Sequence, residues 1–282
     1  MADTDKQELG MLGSQRMHWN QVARRWFRIS YANELLAEHK RQTYLRLISS
    51  WVDVTDNQRI LKTDLFAEAF GPEQFLFYIA QANGNIVGID IANEIVIRAK
   101  EQARHHGIDS SKYLCCDIKQ LPLQNDSIDL IISDSTLDHF PSEDEIVTAI
   151  KELGRVLRVG GTLILTIDNK GSITYPPYIF FRLWMWLGLS PYFIGKTLSR
   201  AKLKHTLENI SLIVEESTAI FHYPHPDGLV RLIEICLRKI SRGKLDSVIK
   251  KGLVSINRLE KKRTRYLTGR YIAVKAVKRE TP

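Results

Sequence analysis

Five aspartates, Asp64, Asp90, Asp117, Asp134 and Asp168, each follow a short, largely apolar run. Carboxylates so placed can accept hydrogen bonds and stabilise cations. In open parallel sheets ligands bind outside the carboxyl ends of the strands, so five acids at such ends point to a site there. The competing account is that strands often end in polar turn residues. Glu68 stands four residues after Asp64, a spacing that puts two carboxylates on one face if the stretch is helical. His139, shortly after Asp134, is a candidate general base near neutral pH, or a structural histidine satisfied by nearby backbone. His222 and His225 flank Pro224 and face either a pocket or solvent. Cys115, Cys116 and Cys236 have neither metal-ligand spacing nor an even disulfide framework. The expectation is therefore no metal site and a reducing, cytoplasmic compartment.

The elements that must position these groups follow from periodicity. Residues 17–51 carry apolar residues at helical spacing. Residues 59–65 (RILKTDL), 86–91 (IVGIDI), 113–116, 127–133 (SIDLIIS) and 162–167 (TLILTI) read as strands. Near-continuous apolar runs of this kind suit strands buried on both faces of a parallel sheet. Gly71-Pro72-Glu73 predicts a helix start with proline in the first turn, continuing through residues 75–82. Residues 93–106 and 143–157 are further helices, with Gly107 as a C-cap. Residues 202–208, 212–221 and 270–278 read as helix, strand and strand. The alternation predicts an α/β fold, a doubly wound, mostly parallel sheet with right-handed crossovers. The expected organisation is an N-terminal helical cap over 1–58, a core over 59–224 and 271–282, and a helical insertion over 225–270.

Several segments, in this order and spacing, resemble the class I S-adenosylmethionine-dependent methyltransferases, in particular the small-molecule, quinone-biosynthesis-like "type 11" group. Residues 117–130 (DIKQLPLQNDSIDL) are similar to its D-x-x-x-LP-F-x-D-x-S-F-D-L run. Residues 152–165 (ELGRVLRVGGTLIL) are similar to E-x-x-R-V-L-K-P-G-G-x-L-x-L, with Val159 in place of proline, and residues 135–140 (STLDHF) to x-x-L-E-H-x. Residues 19–27 (WNQVARRWF) resemble the N-terminal helix that often closes over the cofactor. The resemblance implies a Rossmann-like fold and methyl transfer from S-adenosylmethionine. It also implies roles: Asp90 on the ribose hydroxyls, Ile91 beside the adenine, Asp117 on the adenine amino group and the Ile118 backbone N–H on the ring. Ser133 and Asp134 would lie beneath the cationic methionine end.

The first loop departs from that pattern. The family's V-L-D-x-G-x-G-x-G corresponds to residues 60–68, ILKTDLFAE, with Asp64, Phe66 and Glu68 at the three glycine positions and Lys62 at the acidic one. Glycine there lets backbone approach a ligand and take positive φ. Either the cofactor binds with Asp64 or Glu68 reaching its ammonium, or the domain is a non-catalytic scaffold.

The chain has 282 residues and a formal charge of +8. The basicity is local, since residues 225–270 hold 13 Lys and Arg against 4 Asp and Glu. Leu229, Leu232, Ile233, Cys236, Leu237 and Ile240 form one helical stripe there and residues 248–259 a second. Such helices pack on the sheet with solvated charges outside, or sit on an anionic membrane as a peripheral contact. Few aromatics interleave these charges, which disfavours nucleic acid as a partner. The aromatic stretch 175–194 (YPPYIFFRLWMWLGLSPYFI) is a candidate wall for a small, lipid-like acceptor, a core helix, or a shallow membrane contact. Its apolar part falls short of the roughly 20 residues a bilayer span needs. The polar N-terminus, MADTDKQELG, is unlike a secretory leader.

Overall fold

A computed structural model describes residues 15–24, 34–71, 73–173, 175, 195–222, 236 and 242–280. The predicted pocket wall beyond Tyr175, the stripe over 229–240 apart from Cys236, and His225 lie outside the described residues.

Seven strands form one sheet in the order β3-β2-β1-β4-β5-β7-β6. They are β1 (Ile60–Thr63), β2 (Ile86–Asp90), β3 (Tyr113–Cys115), β4 (Ile128–Asp134), β5 (Leu157–Asp168), β6 (Leu212–His222) and β7 (Gly269–Lys278). The first five pair in parallel, and β7 runs antiparallel between β5 and β6. The central strand β1 is buried along its whole length, as its apolar run requires. Strand order reverses between β1 and β4, which opens a crevice at their C-terminal ends.

The helices are α1 (residues 15–24), α2 (Glu34–Trp51), α3 (Phe66–Phe70), α4 (Phe75–Ala82), α5 (Asn93–His105), α6 (Glu143–Val156), α7 (Arg200–Glu208), α8 (Arg242–Asn257) and α9 (Arg265–Thr268). Ser142 caps α6 by accepting from the Glu145 N–H, and three acids follow in its first turn. The sheet carries a core on each face. One is built around Leu61, Ile131 and α6, the other around Ile60, Leu130, Phe75 and the helices α2, α4 and α5.

Two local expectations change. The helix predicted to start at Gly71-Pro72-Glu73 begins at Phe75, because Gly71 is extended and Gln74 is left-handed. The preceding stretch forms its own short helix, α3, where the family pattern places a glycine loop. His222 faces neither pocket nor solvent. It is buried, with Nδ1 2.8 Å from the Thr268 hydroxyl and Nε2 3.0 Å from the Ala219 carbonyl.

Within the basic segment, α8 buries Ile249, Leu253 and Ile256, with Ile249 and Leu253 meeting Leu36 of α2. Lys244, Lys250 and Lys251 are exposed. Among the described residues no helix is long and apolar enough to cross a membrane.

Candidate functional site

A cavity open to solvent lies at the C-terminal edge of β1, β2 and β4. Asp90 and Ile91 at the end of β2, and Asp117 and Ile118 after β3, form one wall. Thr63, Asp64 and Phe66 form the floor, and Thr136, His139 and Phe140 the opposite side. Helix α1 closes the rim with Gln15 and Trp19. Trp19 meets the His139 ring edge-on, with centroids 4.8 Å apart, and approaches Phe66 at 6.4 Å.

Asp90 shapes the cavity as well as lining it. One oxygen accepts from the Leu65 N–H at 3.0 Å and the other from the Ala92 N–H at 2.8 Å. It thus ties the glycine-free loop to the strand beside it. Burial and the neighbouring Asp64 carboxylate raise Asp90 to about 7, against the pull of those two N–H groups. Asp117 accepts from the Lys119 N–H at 2.9 Å.

Without glycines, the first loop is built on Lys62. Residues of β1 alternate between the two faces of the sheet, so Lys62 shares a face with Ile60. On β4, Leu130, Ile132 and Asp134 take that face, and Lys62 pairs in register with Ile132. The Lys62 ammonium therefore meets Asp134 as an ion pair, with Glu68 at 4.0 Å. It also donates to the carbonyls of Thr63 at 2.7 Å and Asp64 at 2.6 Å and lies 5.3 Å from the Phe75 ring centre. Asp64 takes positive φ, 62°, and its carboxylate accepts from the Phe66 N–H. A chain that would otherwise need glycine at this turn is held by an internal cation. Burial works against the Lys62 charge, but Asp134, Glu68 and Asp64 outweigh it and hold the ammonium protonated. Burial raises Asp134 and Glu68, against Lys62.

On the same face, beyond Asp134, the end of β5 contributes Thr166 and Asp168, with Thr166 in register with Asp134. Tyr44 of α2 stacks on Phe75 at 4.8 Å on this face. Asp138 lies in the single 3-10 turn Leu137–His139. One of its oxygens accepts from the Ser135 hydroxyl at 2.7 Å, and the other is buried with no hydrogen-bond partner. Asp168 has Arg270 at 3.9 Å. Burial and the facing Asp138 raise it to about 7, against Arg270 and His139.

The structure thus brings Asp64, Asp90, Ile91, Asp117, Ile118 and His139 to one cavity. Ser133 sits below its floor, buried and bonded to the Thr63 hydroxyl at 2.9 Å. Asp134 lies next to it on Lys62. Glu68 does not share a face with Asp64. It is fully buried and accepts from the Leu76 N–H at 3.3 Å. Tyr44, Thr136 and Asp138 had no assigned role in the sequence, since nothing in their local spacing shows what they meet across the fold, while Trp19 entered only within the helix expected to close over the cofactor and Phe66 only as a lost glycine. Lys62 was visible there only as a departure.

The donor set fits a nucleoside with a cationic tail. Two acids stand on one wall beside Ile91 and Ile118, whose side chains can clasp a flat ring, and the floor is polar and acid-rich.

Residues 69–165 match a family described as methyltransferase domain, a match that starts just after the altered loop. An uncharacterised 37.1 kDa protein in transposon TN4556 of Streptomyces fradiae is 29% identical over 153 residues, 52% of this chain and 41% of that protein. A malonyl-[acyl-carrier protein] O-methyltransferase of Pectobacterium atrosepticum is 31% identical over 104 residues, 37% of this chain and 38% of its own. The chain thus spans about two fifths of the length of these relatives. In fold it is similar to geranyl diphosphate C-methyltransferase from Streptomyces coelicolor A3(2), solved with Mg2+, geranyl diphosphate and S-adenosyl-L-homocysteine. The TM-score is 0.55 at 10% identity, covering 85% of this chain and 79% of that one.

Proposed function

We propose that the chain carries a class I S-adenosylmethionine-dependent methyltransferase domain of the type 11 group and transfers a methyl group from S-adenosylmethionine to a small-molecule acceptor, a reading supported by the methyltransferase-domain match over residues 69–165. The observation that carries this reading is the cavity at the β1–β4 switch point, walled by Asp90, Ile91, Asp117 and Ile118. Asp90 would hold the ribose hydroxyls on the lone pairs its two backbone bonds leave free. Asp117 and the Ile118 backbone would hold the adenine edge. Asp64 lies on the floor, where a cationic tail is stabilised.

The bound cofactor supplies an electrophilic methyl on a sulfonium. The protein's share is alignment and exclusion of water. Gln15 and Trp19 line the cavity, and His139, which meets the Trp19 ring there, would take a proton from an acceptor.

The test supplies the purified protein with S-adenosylmethionine labelled in the methyl group and a cell extract split into small-molecule, lipid, RNA and protein fractions. The expected result is label in the small-molecule or lipid fraction, at least about tenfold lower with Asp90→Asn, a loss of about 1.4 kcal/mol in transition-state stabilisation. Label confined to RNA or protein would overturn the acceptor class.

A further inference from the structure

Resting on the assignment of the cavity to S-adenosylmethionine, we propose that the acceptor is an amine, bound as its ammonium between Asp138 and Asp168. The two carboxylates come from different elements that pack against one another, the 3-10 turn after β4, which also carries His139, and the end of β5. Asp138 is 4% exposed, and one of its oxygens has no partner. A buried carboxylate oxygen without a donor carries a desolvation cost that a bound N–H group removes. Among the described residues the cation nearest the Asp168 carboxylate is Arg270, at 3.9 Å, beyond hydrogen-bond reach.

An organic cation suits the place better than a metal ion: among the described residues no three His, Cys, Asp or Glu side chains are grouped as metal ligands. A neutral alcohol would satisfy one carboxylate and leave the repulsion between the two. An anionic acceptor would add to it. Lys62 is spent on Asp134 and the loop carbonyls, so it does not neutralise this second pair.

The step balances as follows. The ammonium gives one proton to His139, whose imidazolium is stabilised by the neighbouring Asp168. The freed nitrogen lone pair forms the N–C bond to the methyl carbon, and the C–S bond breaks with its electrons going to sulfur. The product is a methylated ammonium, with one proton released to solvent from His139.

The experiment is calorimetric binding of phenethylamine, phenethyl alcohol and phenylacetate to the full chain saturated with S-adenosylhomocysteine, for the wild type, Asp168→Asn and Asp138→Asn/Asp168→Asn. The expected result is amine binding at least about tenfold tighter than alcohol or acid. The preference falls in Asp168→Asn and vanishes in the double variant, while S-adenosylhomocysteine binding stays within about threefold. Equal binding of the alcohol, failure of all three probes, or a preference that survives in Asp168→Asn overturns the proposal. So does a loss of S-adenosylhomocysteine binding in the variants, which would give these acids to the cofactor. If the wild type fails to bind S-adenosylhomocysteine, the cofactor reading falls instead, and the same probes on the free protein still decide the amine preference.

Discussion

At the scale of single residues the site turns on the trade between burying charge and pairing it. Lys62 is fully buried, and an isolated ammonium there would deprotonate or unfold the loop. Asp134, Glu68 and two carbonyls hold it charged instead. Lys62→Met leaves those acids buried without their cation. The expected cost is about 3–5 kcal/mol, measured by urea unfolding, since breaking a buried pair from one side strands the other charge. Lys62→Met combined with Asp134→Leu should recover more than half of that loss. Additive losses would show that the pair is not the connection. The raised acids make a second prediction. Asp90 and Asp168 have folded values near 7, above those of the unfolded chain, so the folded state holds more protons between about pH 4 and 7 and stability falls as pH rises through that range. His222, lowered by burial, acts in the opposite direction at the acid end. Melting temperature should therefore fall from about pH 5.5 to about pH 8. The fall should be smaller in Asp168→Asn, and an unchanged slope in that variant would contradict the origin given.

Elements explain why these residues meet. Strand parity puts Lys62, Asp134, Thr166 and Asp168 on one face, and the C-terminal edge collects Asp64, Asp90 and Asp117. The edge was legible in the sequence, because apolar runs ending in Asp mark buried parallel strands and their ends, but the face shared by Lys62 and Thr166 was not. The conformation of the first loop was not. The spacing of Asp64 and Glu68 suggested a shared helical face, yet Asp64 precedes α3 with positive φ and Glu68 points into the core. The turn that carries Asp138 and His139 is clamped by another segment. The Gly195 N–H donates to the Asp138 carbonyl at 2.9 Å and the Lys196 N–H to that of Phe140 at 2.7 Å. A Cβ on Gly195 would lie 2.3 Å from the Phe140 carbonyl oxygen and 2.6 Å from that of Asp138. Gly195→Ala must push the turn away, so the account expects acceptor turnover reduced at least about a hundredfold by misplacement of His139. Affinity for S-adenosylhomocysteine should change by less than about threefold, and equal losses in both would contradict a local effect.

For the whole molecule, exposed basic residues concentrate in α8 and the residues just after it. Lys244, Lys250, Lys251, Lys261, Lys262 and Arg263 are exposed, with Val248 and Val254 exposed among them. If this segment makes the peripheral contact with anionic lipid expected from its charge, each basic residue near the surface would contribute about 1 kcal/mol. Pelleting with phosphatidylserine vesicles should be strong at low salt, weak at high salt, and reduced when Lys250, Lys251, Lys261 and Lys262 are changed to Gln. Equal pelleting with neutral vesicles would contradict this contact. The helix was legible as amphipathic spacing over residues 248–259, although Val248 of that stripe is exposed, and the spacing alone left open whether sheet or membrane takes the rest. Burial of Ile249 and Leu253 against α2 gives that stripe to the protein itself.

The central claim is that a loop without glycines, held by Lys62, still shapes a cofactor site. Calorimetric titration of the purified chain with S-adenosylmethionine and S-adenosylhomocysteine tests it most directly, with Asp90→Ala beside the wild type. The account predicts saturable one-to-one binding with a dissociation constant of about 1–100 μM, lost in the variant while the fold, followed by circular dichroism, persists. Absence of binding to the folded wild type at concentrations of about 1 mM would contradict it and leave a methyltransferase-like fold that serves as a scaffold.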